Sequence, residues 1–484
     1  MTLAAPRASE RSVRPLIETH PIRHPDPQDA DAMGRRAWWL IVLNVLIPGS
    51  AQVLAGSRRL GRFGLGATLF GWAVIIIAAG LALFSRQSVI WLVSGPLSWF
   101  VLTLVQVLLV GYLVLWIVLT LDTLRLLRVI KLPVITRWAA PIASVLVLAL
   151  IGSGVVFAAG AVASGRGALG TVFGNSGPSL PPSDGYYNIL LLGADSGDGR
   201  DSMRFDSISV VSVNATTGAM TITGIPREMP HPPFSEGSPM RALYPDGFES
   251  HSDKTCGWNP WMNQVRNAAE VCREDHGAGL YPDAALHGSA PGIEATKDAA
   301  EGVLGIEIPY YAFVDMNGFA DLVDALGGVD ITVTERLPKG GPPPGSGAHD
   351  VDDWAIGWIE PGEQHMDGDT AQWYARSRYT TSDYDRMKRQ RQLQEAILAQ
   401  FTPENVLANF GAVMDASTAL ASTDLPQDKL PEFFDLMMKA KAQPVTRIEL
   451  TPENGIDEKD PDYELVREMV HDALHPPKKE TPES

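Results

Sequence analysis

The chain has 484 residues, 45% of them hydrophobic, and a formal net charge of −17. Its length gives room for about three domains. So acidic a balance argues against a nucleic-acid partner, which selects a basic surface. The two cysteines, Cys256 and Cys272, have no histidine pair beside them and make a poor zinc site.

Residues 1–36 are rich in Pro, Arg and Asp, lack apolar periodicity and read as a disordered cytoplasmic tail. The first apolar run begins too late for a cleavable signal peptide. Four apolar blocks follow, at 37–55, 63–84, 99–121 and 138–163. The last three have the roughly 20 residues that a spanning helix needs; the first is shorter and is broken at Ile47-Pro48-Gly49-Ser50. Basic flanks stay in the cytoplasm. Arg35 and Arg36 precede the first block, Arg58, Arg59 and Arg62 follow it, and Arg125, Arg128, Lys131 and Arg137 separate the third from the fourth. Block 37–55 is therefore expected to enter the membrane and return. The other three spans make a multi-pass cell-membrane protein whose C-terminal half is outside. In that compartment Cys256 and Cys272 are expected to form a disulfide. The Gly-, Ser- and Pro-rich stretch 164–185 reads as a linker.

Beyond it the composition is globular. Strands are expected at Asn188–Gly193, Ser207–Asn214 and Ala219–Ile225, the last two joined by the turn Thr216-Thr217-Gly218. Asp195 then lies just past one strand, Arg204 and Asp206 just before the next, and Pro226-Arg227-Glu228 ends the third. If these strands are neighbours, their loops converge at one sheet edge. Carboxylates brought together there need a cation, and hard oxygen ligands suit Mg²⁺ or Mn²⁺. Residues 231–291 read as a long excursion with one helix, Trp261–Cys272. Helices at 292–304 and 317–326 alternate with strands at 306–314 and 329–333. After a Pro/Gly-rich loop (338–353) come helices at 369–374, 384–401, 406–414 and 428–441, a strand at 446–450 and a charged tail, 456–484. Strands interleaved with helices give residues 186–455 an α/β (α+β) sandwich, a mixed central sheet flanked by helices.

One basic stretch stands out, with six cations from Arg376 to Arg391. In so acidic a chain this cluster points to an anion, and a guanidinium can grip a phosphate with two hydrogen bonds at once. On a helix beginning near Asp383, Arg386, Arg389, Gln390 and Leu393 share one face. Arg376 and Arg378, two apart, point the same way only in an extended segment. Lys388 and Arg391 fall off the shared face and are expected to be solvated and paired with surrounding acids.

Taken together, Asn188–Asp195, Arg204–Asp206, Ile225-Pro226-Arg227, Tyr310–Val314, Phe319–Val329 and Arg376–Gln390 occur in an order that resembles the LytR-CpsA-Psr family. The resemblance covers about residues 187–401 and has no clear counterpart for 231–291. It implies a membrane-anchored, extracytoplasmic catalytic domain. The implied activity moves a glycopolymer from a polyprenyl-pyrophosphate carrier to peptidoglycan, with a divalent metal. Residue by residue it implies Asp195 and Asp206 as metal ligands. It places Arg204, Arg227, Arg376, Arg378 and Arg386 around the pyrophosphate, with Asp383 and Gln390 supporting them. Two positions depart from the family pattern: Glu228 stands where Asp is usual, and Asp385 where Gly is usual. Asp206, Asp383 and Glu228 all qualify as the base that deprotonates an acceptor hydroxyl. The helices at 292–304 and 317–326 are either walls of a groove for the lipid tail or plain core. A hydrolase of the same bond and a non-catalytic envelope scaffold or regulator are the alternative functions.

Overall fold

The structure, a computed structural model, describes residues 22–26, 28–95, 97–173, 177–194, 204–342, 350–400, 409, 412, 416 and 422–476. The chain divides near Ala163 into two compact units.

The first unit is helical. Helix α1 (Ala30–Leu46) starts earlier than the tail-and-block reading allows, because Asp29 caps it by accepting from the Ala32 N–H. The chain breaks at Ile47-Pro48-Gly49 and resumes as α2 (Ser50–Ala55), so block 37–55 does fold back on itself. Gly49 has φ +98°, and a Cβ there would lie 2.4 Å from the Leu65 nitrogen. Helices α3 (Arg58–Phe84), α4 (Arg86–Ser94), α5 (Ser98–Leu126) and α6 (Val134–Phe173) follow. Three segments are long and apolar enough to cross a membrane: Arg58–Leu81, Ser98–Leu126 and Val134–Gly167. Large apolar side chains such as Ile76, Leu146 and Phe157 are exposed on them. The α1–α2 hairpin is tied to α5 by polar contacts. Asn44 Nδ2 donates to Thr120 Oγ1 (3.0 Å), and Gln52 Nε2 to Leu119 O (2.8 Å) and Thr123 Oγ1 (2.9 Å). Such bonds hold helices together where burial of apolar surface cannot. Arg36 is buried and donates to the carbonyls of Ile22 and Leu126. One expectation needs correction here. Helix α6 runs to Phe173, taking up the first half of the expected linker.

The second unit is built on a six-stranded sheet. Its strands are β1 (Tyr186–Ala194), β2 (Ser207–Asn214), β3 (Met220–Gly224), β4 (Tyr310–Asp315), β9 (Ser422–Thr423) and β10 (Thr446–Glu449), in the order β10-β3-β2-β1-β4-β9. The pairs β1–β4 and β10–β3 are parallel and the others antiparallel, so the sheet is mixed. Strand β1 alternates Leu190 and Leu192 into the core on one face with Tyr187, Ile189 and Leu191 into the core on the other. Both faces are therefore covered, which makes the sheet the middle layer of a sandwich.

Two further two-stranded sheets form a side lobe. One pairs β5 (Val329–Val333) with β8 (Gly362–Met366); the other pairs β6 (Leu337–Lys339) with β7 (Gly357–Ile359). They pack with α9 (Met316–Ala325), α10 (Gly368–Arg376) and α11 (Asp383–Gln400) around Val323, Ile331, Tyr374 and Leu393. Helix α12 (Leu430–Ala440) covers one sheet face through Leu436. Residues 463–474, read above as charged tail, form α13 (Tyr463–Leu474), whose Val466, Val470 and Leu474 enter the main core. The helix expected at 406–414 lies almost entirely outside the described residues.

The excursion 231–291 carries short helical turns and one five-residue helix, α7 (Pro239–Leu243). The helix expected at 261–272 is present over 262–271, opening as a 3-10 turn (Met262–Gln264) and closing as a π turn (Asn267–Val271). Cys256 and Cys272 are joined. A loop of this length is worth about 3 kcal/mol to the fold on the chain-entropy account. Alkylation of the unreduced protein is expected to leave its intact mass unchanged, and reduction to lower its melting temperature.

Helix α8 (Pro291–Leu304) sends Ile293, Ala300, Val303 and Leu304 into the main core, and the buried Thr296 hydroxyl donates to Gly292 O. Of the two readings of this stripe, core packing holds. The other side of α8 carries Asp298, whose carboxylate accepts from the Tyr281 hydroxyl and from Ser235 Oγ. Burial pushes this carboxyl up to about 6. A folded-state value above the unfolded one favours the fold below the unfolded pKa, and that advantage is lost as pH rises through about 6. Asp298→Asn, which mimics the protonated acid, is expected to stabilise the protein at pH 7.5 by on the order of 2 kcal/mol and much less at pH 4.5. Melting curves of both proteins at the two pH values check this.

Candidate active site

Backbone pairing brings the expected loops to one sheet edge. Gly193 near the end of β1 pairs with Ser207 at the start of β2, and the Asp206 N–H donates to Gly193 O (2.8 Å). Gly224 at the end of β3 pairs with Ser209, and the Ile225 N–H donates to Ile208 O (2.9 Å). Arg227 therefore leaves the sheet beside Asp206. Its carbonyl accepts from the Asn263 N–H (2.9 Å), so the excursion buttresses the Pro226–Arg227 turn.

Helix α11 supplies the other half. Ser382 and Asp385 form a reciprocal capping box: the Asp385 N–H donates to Ser382 Oγ, and the Ser382 N–H to Asp385 Oδ2. The Ser382 hydroxyl holds the Asp385 carboxyl below its ordinary value. The departure from the family's usual Gly is thus spent on starting the helix. Asp383 and Arg386 lie one turn apart just inside this start.

The result is a chain of alternating charges. Arg227 NH1 is 2.7 Å from Asp206 Oδ1, Arg227 NH2 is 3.0 Å from Glu228, and Arg227 Nε is 3.8 Å from Asp383 Oδ2. Arg386 NH2 is 3.0 Å from Asp383 Oδ1. The arginines are the buried members, with side chains 14% and 6% exposed, against 42% for Asp206 and 37% for Asp383. Burial pulls the Arg386 guanidinium below its ordinary value, opposed by Asp383 and Asp206 and reinforced by Arg227 and Arg378. The Nε atoms of Arg227 and Arg386 are buried with no hydrogen-bond acceptor among the described residues. Guanidinium donors left in this way suit an oxyanion.

The remaining expected residues divide. Gln390 lines the same pocket, its amide donating to Ala375 O (3.3 Å). Arg378 is exposed on the turn before α11, within electrostatic reach of Arg386. Arg204 is exposed just before β2. Asp195 lies outside the described residues. The extended crossing with Arg376 and Arg378 both facing inward is not observed. Arg376 ends α10, 5.4 Å from the Trp373 ring, and the buried residue between the two arginines is Ser377, whose hydroxyl donates to Pro338 O.

Two further expectations on α11 are overturned. Arg389 serves the fold: it donates to the carbonyls of Tyr374 and Ser377 and to Thr381 Oγ1, stapling the turn between α10 and α11. Arg391 is not solvated. It is buried against Glu449 and lines the pocket with Asp206, Arg227 and Arg386. The apolar Met387, four residues earlier on the same side, was the sequence signal that this side of α11 is also covered. Lys388 does pair with Glu453 at the surface, as expected.

Asp206 presents its carboxylate at the sheet edge, with one oxygen taken by Arg227. No group of three His, Cys, Asp or Glu side chains arranged for a metal occurs among the described residues.

The LytR_cpsA_psr family model matches residues 278–474. Over that stretch the chain is similar to the LytR_cpsA_psr family. Compared with the resemblance read from the sequence, the match begins later, beyond Asp206 and Arg227, and ends later, taking in α13. The chain is 27% identical over 256 residues to the polyisoprenyl-teichoic acid–peptidoglycan teichoic acid transferase TagU of Bacillus mycoides, covering 52% of this chain and 64% of that protein. It is 25% identical over 270 residues to the TagU of Halalkalibacterium halodurans, covering 55% and 70%. This chain thus spans less than two thirds of the Bacillus mycoides relative. Among solved structures, B. subtilis TagV aligns with a TM-score of 0.39 at 20% identity, over 61% of this chain and 98% of that one.

Proposed function

We propose that this LytR_cpsA_psr protein transfers a glycopolymer from a polyprenyl-pyrophosphate carrier to peptidoglycan, forming a phosphodiester in cell-wall assembly. The observation that carries the reading is the pair of buried guanidiniums, Arg227 and Arg386, with Nε donors unmatched at one sheet edge. The similarity to proteins named as teichoic acid transferases gives the class of donor and acceptor.

In the reaction the acceptor hydroxyl oxygen bonds to the glycopolymer-linked phosphorus, and the bond from that phosphorus to the bridging pyrophosphate oxygen breaks. Polyprenyl phosphate leaves with the electron pair. Such transfer needs positioning and charge stabilisation more than covalent help. Arg227 and Arg386 exchange carboxylate oxygens for phosphate oxygens, with Arg378 and Arg204 closing from the exposed side and Gln390 and Arg376 supporting. The hydroxyl proton passes to Asp206, Asp383 or Glu228. Asp206 with Asp195 would hold Mg²⁺ or Mn²⁺, which supplies positive charge against the phosphates. The three apolar helices support a multi-pass membrane protein, and the basic flanks of the apolar blocks support an extracytoplasmic C-terminal unit.

The test uses full-length protein in lipid nanodiscs with a lipid-linked glycopolymer and purified peptidoglycan. The expected product is polymer attached to peptidoglycan, in step with released polyprenyl phosphate. Release without attachment would make the protein a hydrolase, and no turnover of the donor would leave the scaffold reading.

A further inference from the structure

A second cleft opens beside the arginine pocket, bounded by Pro226–Pro230, the start of α11 and residues 456–459. Its cavity volume is about 340 Å³, at the lower end of the roughly 300–1,000 Å³ range of ligand clefts. From this we infer that the cleft is the acceptor subsite, and that it takes an uncharged, hydroxyl-rich run of polysaccharide. The inference rests on the transferase reading for its catalytic meaning, but its chemistry is visible in the lining.

Four carboxylates, Glu228, Asp383, Asp457 and Glu458, face a single cation, Lys459. A pyrophosphate entering here would meet like charge, so the cleft repels the donor. Neutral sugar hydroxyls, in contrast, donate readily to carboxylates. Trp261 and Tyr384 also line the cleft and supply the aromatic surface against which the C–H faces of sugar rings pack. The Tyr384 hydroxyl bonds to Glu458, which fixes one wall. Glu228 and Asp383 belong to both places: they line the cleft and pair with Arg227 and Arg386. A hydroxyl held in the cleft therefore lies beside the phosphorus held on the arginines, at the two carboxylates able to take its proton. The new O–P bond, the broken P–O bond and the proton all lie along this boundary. The Asp383–Arg386 pair separates a neutral acceptor side from an anionic donor side.

The experiment uses full-length protein in nanodiscs and tetra-N-acetylchitotetraose, an uncharged β-1,4-linked amino-sugar oligosaccharide, titrated by calorimetry. Wild type is expected to bind it. Trp261→Ala and Glu458→Gln are each expected to weaken binding by about tenfold. In the transfer assay both should raise the acceptor KM by a similar factor while moving kcat at saturating acceptor far less. Glu458 is exposed, so its variant reports on binding even if Trp261→Ala fails to fold. Wild type that does not bind the oligosaccharide, or transfer by wild type with an unchanged acceptor KM in Glu458→Gln, overturns the inference. Donor turnover that is absent altogether counts against the transferase reading instead, while oligosaccharide binding lost in the variants would still support the cleft.

Discussion

Arg386→Ala is expected to slow glycopolymer transfer by about 30- to 1000-fold, a loss on the order of 2–4 kcal/mol of transition-state stabilisation. The side chain is 6% exposed and pairs with Asp383. Its charge is therefore held where water does not compensate for it, and a leaving phosphate feels it strongly. Arg386→Lys should not restore the rate, because a point charge cannot replace the planar fork that serves Asp383 and an oxyanion together. Removing a buried cation also strands Asp383, so stability must be measured beside rate. Arg378→Ala separates the two effects. That residue is exposed and contributes to the field at Arg386, so its loss should lower the rate without moving the melting temperature. The assay is transfer at saturating donor and Mg²⁺, with a thermal melt of each variant. Full activity in both Arg386→Ala and Arg378→Ala would remove the anion from this sheet edge.

The convergence of Asp206, Arg227 and the β1 end was legible in the sequence because it follows from strand order and short connections alone. Once Ser207–Asn214 and Met220–Gly224 form a hairpin beside β1, the chain has no freedom to put these residues elsewhere. Helix α11 was legible as a helix, but only one of its buried sides was. A helix that crosses between a sheet and a side lobe buries two stripes: Arg389 and Leu393 in one direction, Met387 and Arg391 in the other. Periodicity identifies a single stripe when the second is written in arginines, since a charged residue counts as solvent-facing until its partner is known. The partners, Glu449 on β10 and the carbonyls of Tyr374 and Ser377, lie far away in sequence or on the backbone. The same blindness affected α13. Residues 463–474 read as charged tail because their apolar positions are few, yet Val466, Val470 and Leu474 are spaced to face one core. The capping box of Ser382 and Asp385 follows a known spacing, but at the sequence level Asp385 drew notice only as a departure beside Arg386.

Arg391→Ala, at a residue the sequence put on the solvated side of its helix, is expected to be among the most destabilising single substitutions in the globular unit, at about 3–5 kcal/mol. The guanidinium is buried, with Nε donating to Glu449 Oε1 at 2.8 Å. Burial pushes it down to about 10, still charged at neutral pH. Glu449 pairs with Gly224 in the β10–β3 register, and a Cβ on Gly224 would meet Arg391 NH1 at 2.2 Å. Arginine, glutamate and glycine thus form one joint that seats α11 on the end of β3, where the chain departs toward Arg227. Removing only Arg391 leaves Glu449 charged without its partner; Gly224→Ala forces the guanidinium out of place. Replacing both charges, in Arg391→Met with Glu449→Leu, should recover most of the lost stability, because a buried pair exchanged for apolar groups of similar volume is close to neutral. Thermal melts of the two single variants and the double variant measure this directly. A wild-type melting temperature in Arg391→Ala would show that the joint does not hold the helix. The double variant then answers a separate question. If it is stable but its kcat falls, the joint also aims Arg386, five residues earlier on α11, at the phosphate. If kcat is unchanged, the apolar contact positions Arg386 as well as the ion pair does, and the joint's role is confined to stability.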